Sequence, residues 1–378
     1  MHYRQSNFMI LSDMKRTLVL FLVLIFFASC GKKKMLSDRF FVLPLYESLH
    51  RPAFGNIPEN RVKECRVIPL ETSDSVLLRR CDIQEVTDDY IIISDHGTVY
   101  FFDRAGNLSH KFNRRGNGPG EYVSINEIVL DETRKTVYVH DYSRRIINRY
   151  TYEGKLLDHF KNDSIASMGI TEDGEFVASF SPSEKWTHLV GVYDSNWNPV
   201  NSFIENDFQN EKTNLFIINT VNSFNGRPCI YTNDTLFRIT ATGTEAELVI
   251  DKGPLRLPEE IASDVRRKRE RDRYIWGDYG FLTGNYYFLY FNYDGKGYYD
   301  LWDLSSATLI GRNVLESFGE KPGLPFRIDG KTVYAWPLFA DGDKIYCALA
   351  YEDAVVLHPL YKDNDNPVIL EITFDSAS

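Results

Sequence analysis

One short pattern recurs along this chain and limits what it can fold into: a β-rich run, a polar turn, and a second β-rich run. It occurs at residues 99–108, 147–156, 190–200, 235–243 and 299–306. Taking Asp103, Thr151, Asp194, Thr240 and Asp303 as equivalent gives steps of 48, 43, 46 and 63 residues. A weaker sixth copy is read at 354–359, Ala-Val-Val-Leu-His-Pro. A period in the forties with two visible strands per unit is the signature of four-stranded propeller blades. Six blades over residues 61–375 allow roughly 52 residues each. The expected fold is therefore all-β, a six-bladed β-propeller with about four antiparallel strands per blade.

The intervening stretches fit. Residues 90–94, 136–140, 175–180 and 344–349 are rich in Val, Ile, Phe and Tyr and read as strands. Asp173-Gly174, Asn225-Gly226, Asp294-Gly295, Asp329-Gly330 and Asp341-Gly342 supply the positive φ that tight hairpins need. A ring of blades leaves open edges unless both chain ends complete one blade. The β-like segments at 66–71 and 368–374 are expected to lie in the same or adjacent blades. Residues 258–273 break the pattern, with acids early and bases late. That order suits a helix dipole, so a short helical insertion is expected there. Its basic cluster reads as a solvated face or as a grip for an anionic partner.

The first 34 residues carry an address. Met14-Lys15-Arg16 precede an uninterrupted apolar run at 18–27, followed by Ala28, Ser29 and Cys30. The run is about half the length a membrane-spanning helix needs, so residues 1–29 read as a signal peptide, with Met14 as a candidate true start. Removing them takes away Arg4, Lys15, Arg16 and Asp13, which moves the formal charge from −10 to −12. A chain this acidic is not expected to bind nucleic acid or to cling to anionic lipid by charge. Residues 30–60 read as an N-terminal tether and 61–378 as the propeller. Cys65, Cys81, Cys229 and Cys347 allow three pairings. Their apolar neighbours favour small buried residues, and no Cys-x-x-Cys is present.

Phe27-Ala28-Ser29-Cys30 resembles a bacterial lipobox, which implies lipidation of Cys30. Residues 116–122, Gly-Asn-Gly-Pro-Gly-Glu-Tyr, resemble the Gly-x-Gly-Pro-Gly-Glu-Tyr signature of bacterial six-bladed β-propeller lipoproteins, related in fold to NHL and TolB-like propellers. The segments at 68–71, 234–237 and 364–367 fit the same family. The resemblance implies the fold and an envelope location, anchored in the outer membrane on its periplasmic face, with surface exposure open. It implies no activity.

The same loop is the candidate ligand site. Arg114, Arg115, Gly116, Asn117, Gly118, Gly120, Glu121 and Tyr122 combine backbone amides with guanidiniums, a set that suits an anion or a sugar. The alternative is a blade-to-blade crossover where only glycine fits. No Gly-x-Ser-x-Gly, His-Glu-x-x-His or P-loop motif is present. Asp95, Asn126, Asp141 and Asn233 are conceivable ligands for a calcium ion on the axis, without a motif behind them. The expectation is a non-catalytic module binding a glycan, a peptide or an envelope protein, with no cofactor. The alternative is a metal-dependent hydrolase, lyase or lactonase.

Overall fold

The five turn residues aligned in the sequence fall at one place in the fold, the turn between the third and fourth strands of five successive blades. The computed structural model describes residues 40–51, 56–161, 165–171, 173–180, 187–205, 221–224, 227–262, 264–317 and 319–375. The repeat is turn chemistry. Asp103 Oδ1 accepts the amides of Ala105 and Asn107 at 2.8 and 2.9 Å, and Asp194 Oδ1 accepts those of Asn196 and Asn198, both at 2.8 Å. Thr240 Oγ1 does the same for Gly243 at 3.0 Å. A side-chain acceptor two to four residues ahead of a donor fixes the turn without help from the sheet.

Blade one comprises Asp82–Val86, Tyr90–Asp95, Thr98–Asp103 and Leu108–Asn113. Blade two comprises Glu127–Asp131, Thr136–Asp141, Ile146–Thr151 and Leu156–Lys161. Blade three comprises Ile165–Ile170, Phe176–Phe180, His188–Tyr193 and Pro199–Glu205. Blade four comprises Val221–Phe224, Arg227–Thr232, Thr235–Ile239 and Thr244–Ile250, and blade five Trp276–Thr283, Tyr286–Tyr293, Lys296–Asp303 and Thr308–Leu315. Blade six takes Phe339–Asp341, Lys344–Ala348 and Val368–Phe374 from the end of the chain and Val62–Pro69 from its beginning. The closure expected from the two β-like ends is thus an antiparallel pairing within one sheet, from Val62↔Phe374 to Pro69↔Val368.

Middle strands are buried on both faces because each sheet packs between two others, which is why residues 90–93 of the strand Tyr90–Asp95 read as a continuous apolar run. Outer strands such as Leu156–Lys161 alternate between half-buried and exposed. The cores lie between blades: Ile92 and Phe101 of blade one pack with Val137 and Tyr150 of blade two. The turn glycines serve this packing. Gly106 has φ +91°, and a Cβ there would sit 2.2 Å from the Pro69 carbonyl of blade six.

Four features differ from the sequence expectations. Residues 354–359 are not a blade strand. They overlap the helix Tyr351–Leu357, which leaves blade six between its second and third strands. Glu352 and Asp353 in its first turn favour a helix start, and Asp353 is held by Lys321 at 3.1 Å. The insertion at 258–273 is several short pieces, Glu259–Ala262, a 3-10 turn at Val265–Arg267, and Lys268–Arg271. Asp264 breaks it by accepting the Arg266 amide at 3.0 Å and capping a new start. A separate hairpin, Leu324–Ile328 with Lys331–Ala335, lies between blades five and six in the chain. Its Asp329-Gly330 turn has φ of +49° and +74°, the hairpin geometry that pair favours.

The fourth difference concerns residues 40–51, expected within a tether. Phe41–Leu43 adds a parallel fifth strand to blade four, and the helix Leu45–Ser48 follows. Its end caps a buried ion pair of blade five. Arg312 bonds Asp300 through Nε and Nη2 at 2.7 and 2.6 Å, and reaches the Ser48 carbonyl and Oγ at 2.8 and 2.9 Å. Arg312 and Asp300 are 1% and 0% exposed. Among the described residues no helix is long and apolar enough to cross a membrane.

Removing one partner of such a pair leaves an uncompensated buried charge. Arg312→Ala is therefore expected to cost about 3–5 kcal/mol in urea unfolding, and the double change Arg312→Met with Asp300→Leu far less. Equal losses would mean that the ion pair itself, and not the orphaned carboxylate, sets the cost.

Candidate functional site

The glycine loop comes first, because the sequence singles it out. It connects the outer strand of blade one to the inner strand of blade two. Most of its amide donors are engaged within the protein. The Gly116 amide donates to the Tyr122 carbonyl at 3.0 Å, the Gly118 amide to Glu121 Oε2 at 2.7 Å, and the Tyr122 amide to the Arg114 carbonyl at 3.1 Å. The carbonyls are covered too: Arg144 donates to those of Gly118 and Glu121, and Tyr150 Oη to that of Gly120. Arg114 Nε donates to the Gly154 carbonyl of blade two at 2.7 Å. Tyr122 is fully buried, its hydroxyl donating to the Gly97 carbonyl at 2.8 Å, and burial pushes its pKa up to about 12. A Cβ on Gly116 would lie 2.0 Å from Glu121 Oε2. The loop is a latch between two blades. Of the eight candidate residues, only Arg115 and Asn117 present exposed side chains without a hydrogen bond of their own.

Gly116→Ala would expel the Glu121 carboxylate from its seat. A loss of roughly 1–3 kcal/mol in urea unfolding is expected, in line with breaking a buried polar contact. Asn117→Ala, at an exposed side chain, should stay within about 0.5 kcal/mol of the parent.

The carboxylate and amide candidates for an axial ion also hold turns. Asp141 accepts the amides of Val123 and Arg144, Asn126 accepts that of Tyr142, and Asp95 that of Arg79. Asn233 occupies a turn with φ +50°. None of them lines the axis. Among the described residues, no three His, Cys, Asp or Glu side chains gather in a metal-holding arrangement. Cys65, Cys81 and Cys347 are free thiols, and burial pushes the Cys65 thiol up to about 11 and Cys81 up to about 12.

The chemistry the sequence did not reveal lies on the axis. The inner strand of each blade touches that of the next, and the sixth touches the first. They enclose a cavity of about 360 Å³. A β-bulge between Ile83 and Glu85 lets consecutive side chains, Gln84 and Glu85, line it. Gln84 Oε1 accepts the Ile128 amide of blade two at 3.0 Å. Glu127 repeats the move one blade on, accepting the Ser167 hydroxyl at 2.6 Å and the Met168 amide at 2.8 Å. Thr87, Thr133 and Thr171 stand on the turns that lead from the inner strands.

Glu85 and Glu127 are half-buried, and both keep part of their surface open to the cavity. Burial pushes Glu85 up to about 8, reinforced by the charges of Asp341, Glu132 and Glu127. Burial likewise raises Glu127 to about 8, against the pull of its Ser167 and Met168 donors. Glu132 is raised by burial and by Asp88, Asp89 and Asp341, and lowered by Lys135. In the sequence these acids look like ordinary polar alternation. Only the ring geometry brings strands 40 residues apart to one point.

The domain of unknown function DUF4934 matches residues 58–371. The chain belongs to the DUF4934 family. The match takes in the closing strand Val62–Pro69 and most of its partner, while the cap at 40–51 lies before it. An exported protein from Bacteroides fragilis is similar in structure, with a TM-score of 0.64 at 15% identity over 85% of this chain and 99% of that one. A DUF4221 protein from Bacteroides vulgatus reaches 0.46 at 10% identity over 84% and 99%. No curated protein matches the sequence.

The raised carboxyls give this DUF4934 propeller a defined pH response. Between about pH 4.5 and 8 the folded state holds protons that the unfolded chain has released, so stability falls as pH rises through that window and levels off above it. Each group adds a slope of at most about 1.4 kcal/mol per pH unit. Glu85→Gln combined with Glu127→Gln should flatten the decline, as read by urea unfolding at about pH 5, 6.5 and 8. An unchanged slope would place the titration elsewhere.

Proposed function

We propose that this DUF4934 chain is a lipid-anchored protein of the bacterial outer membrane, facing the periplasm, whose propeller binds a ligand without transforming it. One observation carries the binding reading: the closed ring of inner strands leaves a polar cavity lined by Gln84, Glu85, Glu127 and threonine hydroxyls. A concave site with a few convergent polar groups is where a ligand is held. A metal-dependent lactonase would need four or more oxygen ligands converging on one point. Glu85, Glu127, Asp131 and Glu132 line the cavity, but among the described residues no three of them gather as a metal-holding group. The ligand classes that fit are a glycan, a peptide or a projecting side chain of an envelope protein.

The anchor reading rests on the apolar run at 18–27 and on Cys30, which lie outside the described residues. The Bacteroides fragilis relative is described as exported, in line with it. The Gly116–Tyr122 signature supports placing the chain among six-bladed lipoproteins of the NHL and TolB-like kind.

Two experiments test the two halves. Cys30→Ser should move the protein from the membrane fraction to the soluble fraction and abolish incorporation of labelled palmitate. Continued membrane retention without label would point to an uncleaved signal segment instead. For the binding half, the soluble form beginning at Met35 is screened by thermal shift against glycans and peptides, each with calcium and with chelator. A rise that does not need calcium supports binding by linkage. A rise that needs calcium, followed by turnover, would put the metal-dependent enzyme in its place.

A further inference from the structure

The axial cavity has a lopsided charge. Glu85, Glu127, Asp131 and Glu132 line it, and among the described residues no Lys, Arg or His does. Asp131 is answered by Arg134 at 2.5 Å. Lys135 faces Glu132 and lies over the Tyr152 ring, 5.6 Å from its centroid. Glu127 has two neutral donors, Ser167 Oγ and the Met168 amide. Glu85 is different. It is half-buried and lines the cavity, and among the described residues its carboxyl makes no hydrogen bond or ion pair with another side chain. Arg312, by contrast, has Asp300 against it.

An enclosed carboxyl without a counter-charge is costly in its ionised form, and a cation arriving from outside removes that cost. The bulge at Ile83 and Glu85 aims the carboxyl at the axis, and the acids on the turns, Asp88, Asp89 and Glu132, draw cations toward that mouth. We infer that the axial cavity binds an organic ammonium group, a free polyamine or the side chain of a lysine-bearing peptide, held between Glu85 and Glu127. This rests on the cavity being the binding site, as proposed above, and names its ligand chemistry.

The consequence for protons follows from the same groups. Around neutral pH, burial favours the neutral form of both Glu85 and Glu127, reinforced at Glu85 by the charges of Asp341 and Glu132. An ammonium group reverses that preference, so binding releases protons to the buffer and tightens as pH rises toward about 8.

Isothermal titration with spermidine tests this, on the soluble form beginning at Met35, in two buffers of different ionisation enthalpy. Lysine-containing peptide, calcium chloride and a neutral oligosaccharide form parallel arms. The expected result is one site, net proton release, and an affinity about tenfold tighter at pH 8 than at pH 6. Glu85→Gln should weaken binding at least tenfold, while Glu352→Gln on the outer helix should leave it unchanged. The melting temperature without ligand shows whether Glu85→Gln remains folded, and Glu132→Gln at the mouth, expected to weaken binding by a smaller factor, gives a second reading. Spermidine and peptide arms separate a free polyamine from a lysine side chain. Equal binding by parent and Glu85→Gln, or binding of calcium alone, overturns the inference. If only the oligosaccharide binds, the cavity is a ligand site and the ammonium assignment fails. If no arm binds, both fail.

Discussion

The pairing of Val62–Pro69 with Val368–Phe374 is the constraint on which the rest of the molecule depends. Each blade shares its apolar core with the next, so a blade missing a strand exposes both an edge and half a core. Blade six would be that blade without the N-terminal strand. The chain secures the junction beyond the pairing. The Glu71 amide reaches the Gly106 carbonyl at 2.7 Å, and the Leu108 amide reaches Glu71 Oε2 at 2.9 Å, which seats blade one on blade six. Buried Asn366 accepts the Leu78 amide and donates to the carbonyls of Glu71 and Val76 at 2.6 and 2.7 Å. It satisfies three groups of a segment that would otherwise be a loose connection. The axial cavity is a product of this closure, since its walls belong to all six blades.

Closure also sorts the buried polar groups into two kinds. Between blades, charges meet charges. Lys252, 6% exposed, lies between Asp234 at 2.6 Å and Asp278 at 2.8 Å, and Arg104 joins blade one to Glu371 of blade six. Such pairs hold register between sheets that have no hydrogen-bond ladder between them. On the axis the geometry changes. Six strands converge with their inner edges facing one another, and Gln84, Glu85 and Glu127 there meet only neutral donors or further acids. The carboxyls then take up protons, which is the cheaper response of an enclosed acid with no cation beside it. The contrast between these environments, more than any single residue, marks the axis as the place left open for something else.

How much of this was legible in the sequence depends on range. The turn acceptors Asp103, Asp194 and Thr240 act within four residues, so their spacing reported the blades directly. The closing strands were legible because edge strands need partners and only the chain ends remained. The run at 354–357 misled because Val355, Val356 and Leu357 have strand composition, while the helix is decided by Glu352 and Asp353 at its start and by Lys321, distant in sequence. Residues 40–51 looked like tether because nothing in them announces the buried Arg312–Asp300 pair they cap. Glu85 and Glu127 were illegible for the same reason. An acid in an alternating strand is unremarkable until its neighbours from other blades are known.

The glycine loop shows the converse case. Gly116–Tyr122 is the most conspicuous stretch in the chain, and conspicuous glycines invite a ligand. Yet glycine is demanded here by the protein's own Glu121, whose carboxylate fills the space a Cβ on Gly116 would occupy. A loop that presents amides to an anion must leave them unpaired in the free protein, and those of Gly116, Gly118 and Tyr122 are all engaged. Glu121 is the loop's anion, built in and permanent. The motif therefore encodes how blade one is latched to blade two, and a motif that fixes blade geometry can recur among propellers whose ligands have nothing in common. In this propeller the polar groups that lack such internal answers stand on the axis.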